Sequence, residues 1–215
     1  MTPVVKICGV TLADDAARVA AAGADYIGLN FWPRSKRYLE PARAHVVASA
    51  ARAAGVAKIA GVFVDADEDE LRDVLRYVDL DILQLHGDEH PDEVARLSAE
   101  LGKPVWKSVA VGAPHDLDHL DQWPVDALLL DAPTPGRGGS GKTFDWSLAA
   151  DARRRYPARR ILLAGGLDPS NVAAAIATVA PWGVDVASGV EAGPGVKDPA
   201  KVAAFIAAAR AGQNR

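Results

Sequence analysis

The sequence predicts an α/β protein, a single (β/α)8 TIM barrel over residues 1–215. Short β-branched or Leu-rich runs alternate with Ala-rich amphipathic ones from end to end, with no linker between them. Eight runs read as strands: Val4–Ile7, Tyr26–Leu29, Ile59–Val64, Ile82–Leu85, Val105–Val109, Ala127–Leu130, Ile161–Leu163 and Val184–Ala187. Each is followed by a helical run, and eight such units close a barrel. With 215 residues, 49% of them hydrophobic, the chain is long enough for one large core and too short for two. A doubly wound open sheet is the structural alternative. It would show a glycine-rich fingerprint after its first strand, where this chain has Lys6-Ile-Cys-Gly-Val-Thr11.

Charge and composition narrow the function. A net charge of -4 argues against nucleic acid or an acidic membrane as a bulk partner. The single cysteine, Cys8, allows no internal disulfide. The start, Met-Thr-Pro-Val-Val-Lys, lacks a signal-peptide pattern and no apolar run is long enough to span a bilayer, so a cytoplasmic location is expected.

In a barrel the chemistry stands at the C-terminal ends of the strands. On the first strand Lys6 and Cys8 are two apart and share a face, and a lysine so placed favours the thiolate; a buried structural cysteine is the competing reading, against which stands the strand-terminal position beside Gly9. After the second strand, Asn30–Tyr38 combines three cations with three aromatics. It suits a planar aromatic anion, an arginine offering its fork to a carboxylate; a nucleic-acid patch and a solvated basic loop are the competing readings. The third unit is scaffold, with a helix over Glu68–Val78 that buries Leu71, Val74, Leu75 and Val78.

On the fourth strand Gln84 and His86 share a face, which fits either a hydrogen-bonding pair at the pocket rim or a histidine satisfied by structure. The fifth unit is the weakest, with only a short polar helix over Pro114–Gln122. Its His115 and His119 are spaced i, i+4 without a third ligand, so they read as solvated and neither metal nor cofactor is expected. The sixth strand ends in Asp131, a helix cap, a salt-bridge partner or a general acid/base. The loop Ala132–Thr143 is glycine-rich and longer than an ordinary turn, as a mobile cover over a ligand would be. Its Gly136–Thr143 fits Gly-x-x-x-x-Gly-Lys-Thr, so an ATPase is a rival reading. That loop, however, belongs after the first strand and should open a helix, and here Phe144-Asp-Trp146 follows.

The seventh strand runs into Gly165 and Gly166 and then an Asp-Pro-Ser-Asn helix start near Ser170. Glycine backbone amides and a helix N-terminus make a place for phosphate. Gly183–Gly189 repeats the logic after the eighth strand.

The chain resembles the phosphoribosylanthranilate isomerases of tryptophan biosynthesis over nearly its whole length. The resemblance rests on Lys6-Ile-Cys-Gly9, Gly28-Leu-Asn-Phe31 with Ser35-Lys-Arg-Tyr38, Gly61-Val-Phe-Val64, Gln84-Leu-His-Gly87, Leu129-Leu-Asp131, Gly138–Trp146, Gly165-Gly-Leu167, and Gly183–Glu191 with Pro194-Gly195 and Lys197-Asp198. It explains the Walker-like spacing as the family's own loop. Ala164 and Ala187 stand where the family commonly has serine.

The resemblance implies an aldose-ketose (Amadori) isomerisation of a small phosphoribosyl substrate, with Asp131 as general acid and Cys8 as general base. It implies Arg37 at the anthranilate carboxylate, and Gly165, Gly166, Ser188 and Gly189 at the phosphate. Gln84, His86 and Asp185 are further candidate substrate contacts. Barrel closure would also set Lys6 beside Asp185, leaving Lys6 less able to activate Cys8. A monomer or weak homodimer is expected. A phosphosugar isomerase acting on an aminoimidazole ribotide and a non-catalytic phospho-ligand binder are the alternatives.

Overall fold

The computed structural model describes residues 2–133 and 145–212. Eight parallel strands close into a barrel in sequence order: β1 Val4–Cys8, β2 Tyr26–Asn30, β3 Lys58–Phe63, β4 Ile82–Leu85, β5 Val105–Ala110, β6 Ala127–Asp131, β7 Ile161–Leu163 and β8 Gly183–Val186. Around them lie α1 Ala13–Ala21, α2 Pro41–Ala54, α3 Glu68–Tyr77, α4 Pro91–Leu101, α5 Trp146–Arg155, α6 Val172–Val179 and α7 Pro199–Ala211. A small antiparallel hairpin, β9 Glu191–Gly193 and β10 Val196–Lys197, follows the last barrel strand.

Local chemistry sets these boundaries. Asp67 and Glu70 form a reciprocal capping box at the start of α3, at 2.9 and 3.0 Å. Pro91 opens α4 and a left-handed Gly102 closes it. Three aspartates that precede strands, Asp25, Asp81 and Asp126, each accept the amide of the strand before, from Val5, Ile59 and Val105. They stitch the N-terminal rim, the stability face of a barrel.

Two expectations change. The fifth unit has two 3-10 turns, Pro114–Leu117 and Leu120–Gln122, in place of one polar helix. Asp116 draws the Gly112 and Ala113 amides to itself at 2.8 Å, and His119 sits at φ 64°, which ends the first turn. His115 and His119 therefore share no helix face, and both are exposed. Helix α6 starts at Val172, because Asp168 and Asn171 cap each other's backbone before it: the Asp168 carboxylate takes the Ser170 and Asn171 amides, and the Asn171 side chain takes that of Asp168.

Strand alternation divides the core. Val5, Ile7, Ile27, Leu29, Leu83, Leu85 and their like face outwards to the helices. Inside the barrel stand Ala60, Ile82, Trp106, Ala127, Leu129, Leu162 and Ala164, with Tyr26 and Trp182 packed edge-on to Trp106 at 4.7 and 5.8 Å. These rings fill the N-terminal half, so polar side chains occupy the C-terminal half.

Candidate active site

Lys6 and Cys8 both point into the barrel, and the register places Lys6 opposite Asp185 and Cys8 opposite Gly28. Lys6 Nζ lies 2.8 Å from Asp185 Oδ1, both groups buried: the pairing expected from closure. A side chain on Gly28 would begin 2.7 Å from Cys8 Sγ, so glycine there makes room for the sulfur. Lys6 favours the thiolate as its position suggested, but burial outweighs it. Burial pushes the thiol above its ordinary 9.0, and Lys6 offsets this only in part because Asp185 opposes it. At neutral pH Cys8 rests as a thiol.

Asp131 ends β6, buried, its Oδ1 accepting the Ala132 amide at 2.8 Å. Burial lifts its carboxyl to about 6, and Asp185 adds to the rise. His86 Nε2 stands 3.7 Å from Asp131 Oδ2 and 3.2 Å from Ser108 Oγ. Its other ring nitrogen meets Gln84 Nε2 at 3.1 Å, the pairing that strand spacing suggested. Gln84 is only 1% exposed, so it lies beneath His86 and supports the ring. Ser108 was not anticipated, although its spacing of two from the inward Trp106 was the available signal.

The arginine fork is already occupied. Arg37 Nε and Nη2 donate to the two oxygens of Glu191, each at 2.7 Å. This bidentate bond raises the Arg37 pKa, and Arg37 and Lys197 together hold the Glu191 carboxyl below its usual range against the effect of burial. The fork that the sequence offered to a carboxylate is thus engaged by Glu191 through Nε and Nη2. Lys197 Nζ reaches Glu191 Oε1 at 2.9 Å, the Cys8 carbonyl at 2.6 Å and the Ala187 carbonyl at 3.2 Å. Sequence reasoning assigned no role to Glu191 or Lys197.

After β7, Gly165 and Gly166 have φ of 84° and 65°, and among the described residues no group accepts their amides. A Cβ on Gly165 would meet Asp131 Oδ1 at 2.8 Å, so the turn packs directly on the acid. Ser188 and Gly189 follow β8 in a short 3-10 turn, Ser188–Val190, and a side chain on Gly189 would run into the Leu167 carbonyl. The two glycine turns are thus neighbours. Most of the expected loop cover, residues 134–143 with the Walker-like spacing, lies outside the described residues, as does the polar end 213–215.

The family description N-(5'-phosphoribosyl)anthranilate (PRA) isomerase matches residues 5–208. The N-(5'-phosphoribosyl)anthranilate isomerase of Paracoccus denitrificans is 46% identical over 213 residues, which cover 96% of this chain and 97% of that protein. The crystal structure of phosphoribosyl anthranilate isomerase from Thermotoga maritima superimposes with a TM-score of 0.88 at 40% identity, over 97% of this chain and 99% of that one. A structure of the same enzyme type in complex with reduced 1-(o-carboxyphenylamino)-1-deoxyribulose 5-phosphate gives a TM-score of 0.84 at 36% identity, with 97% and 99% coverage. Matched along nearly its full length in both sequence and barrel architecture, the chain belongs to the N-(5'-phosphoribosyl)anthranilate isomerase family.

Proposed function

We propose that Cys8 and Asp131 together carry the isomerisation of N-(5'-phosphoribosyl)anthranilate to 1-(o-carboxyphenylamino)-1-deoxyribulose 5-phosphate in tryptophan biosynthesis. Asp131 gives its proton to the ribose ring oxygen, the C1'–O bond breaks, and the anthranilate nitrogen lone pair forms the Schiff base. Cys8 then takes the proton from C2', and those electrons make the enolamine, which tautomerises to the ketone. Arg37 meets the anthranilate carboxylate through its outer edge. Gly165, Gly166, Ser188 and Gly189 hold the phosphate at the far end, so that anchoring both ends sets the reacting carbons between base and acid. The reading needs neither metal nor cofactor, and places the enzyme in the cytoplasm as a monomer or weak homodimer.

The observation that carries the assignment is the pair of opposed, buried groups at strand ends: a thiol on β1 and a carboxyl on β6 lifted to about 6. Catalysis needs the thiolate with the protonated acid. The resting pair has the proton on sulfur instead, which is the same total number of protons. The active form is therefore a minor tautomer, and its share does not change with pH between the two titrations.

Loss of anthranilate fluorescence on mixing purified protein with freshly made phosphoribosylanthranilate tests the function. Rapid loss in the wild type, and almost none in folded Cys8→Ala and Asp131→Asn, is expected. Full activity in either variant unseats that residue; an inactive wild type overturns the reading.

A further inference from the structure

Two buried charge groups flank Cys8. Lys6 and Asp185 sit below it in the barrel, paired one to one. Above it, the Arg37–Glu191–Lys197 group ties the loop after β2 to the hairpin β9–β10. Lys197 donates to three oxygens, one of them a carboxylate, as an ammonium does with all its protons. Across both groups three cations face two carboxylates, which leaves one positive charge in excess. A Cys8 thiolate would balance it. Asp131 and His86 lie across the interior from β6 and the end of β4, and Asp15 on α1 accepts the Lys197 backbone amide at 2.8 Å with Arg18 beside it.

We infer that Lys197 is a positioning residue for the isomerisation: pinned to Glu191 and to the Cys8 and Ala187 carbonyls, it fixes the end of β1 and supplies the unbalanced positive charge that favours the Cys8 thiolate. Lys6 favours the thiolate as well, but Asp185 beside it opposes that effect, whereas the cation excess lies in the Lys197 group. The inference rests on the reading of Cys8 as the base. Glu191 has the complementary part, holding Arg37 at the cleft edge while cancelling one cation. The two residues therefore act on the thiol in opposite directions, which a purely structural role would not produce.

The test follows the single cysteine by the NMR shift of isotopically labelled Cβ across pH, beside the alkaline limb of kcat/KM. Lys197→Met moves the Cys8 titration and that limb upwards by about one pH unit, and lowers the kcat/KM plateau about tenfold as the thiolate tautomer becomes rarer. Lys197→Arg restores both. Glu191→Gln, which keeps an oxygen to accept from Arg37 and Lys197 and so judges the idea even if Lys197→Met does not fold, moves the titration downwards and raises KM. An unmoved titration in Lys197→Met, or an upward one in Glu191→Gln, overturns the inference. Activity surviving in Cys8→Ala would instead remove the base assignment, and the NMR arm would still judge Lys197.

Discussion

Two buried lysine–glutamate pairs, built on the same plan, stand at the C-terminal ends of different strands. Lys107 donates to the carbonyls of Gly87 and Ser108 and lies 3.0 Å from Glu89. Lys197 donates to the carbonyls of Cys8 and Ala187 and to Glu191. The difference is what the glutamate does next. Glu89 takes the amides of Gly87 and Asp65, so the group is neutral and closed. Glu191 takes Arg37, so its group keeps a positive charge and places it at Cys8, the proposed base. The same three-oxygen cradle for an ammonium thus serves as a rivet in one place and as an electrostatic support in the other. Burial and geometry alone do not separate the two roles; the charge count does.

The largest effect is catalytic. Cys8→Ala costs about a thousandfold or more in kcat/KM, as removal of a base does, whereas folded Lys107→Met keeps kcat/KM within a few-fold of wild type. Stability reverses the order. Lys107→Met leaves Glu89 buried without its cation and costs about 3–5 kcal/mol in denaturant unfolding, while the Cys8 titration stays in place.

Asp131→Asn is expected to stabilise. Its carboxyl rises from 3.8 in the unfolded chain to about 6 when folded, so the folded state binds the extra proton. The wild type therefore loses stability as pH rises from about 4 to about 6, and the deficit is complete above that window. Above pH 7 the asparagine variant should gain up to about 3 kcal/mol relative to wild type, with no gain below pH 4; a constant difference across pH would contradict this. The smallest effect is at Gly165, where φ is 84°. Gly165→Ala costs about 1–2 kcal/mol in stability and raises KM more than it lowers kcat.

Much of this molecule could be read before any coordinates. The strands declare themselves by short apolar runs, and the observed boundaries differ by at most a residue or so at each end. The Lys6–Asp185 pair followed from parity and closure alone. What stayed hidden depends on separation and burial. Glu191 lies 154 residues from Arg37, and Lys197 lies 189 from Cys8, so no periodicity connects them. The direction of the Cys8 shift was equally hidden, because a lysine two residues away favours the thiolate only if nothing neutralises it, and desolvation is set by the whole closed barrel. Mutual capping by Asp168 and Asn171, which delays α6, was within reach of the sequence but competes with the Pro169 start signal.

The most direct test of the account is the titration of Cys8 itself in the wild-type protein, followed through its labelled Cβ. The account predicts a thiol at neutral pH that titrates above the ordinary 9.0. A thiolate already formed at pH 7 would contradict it.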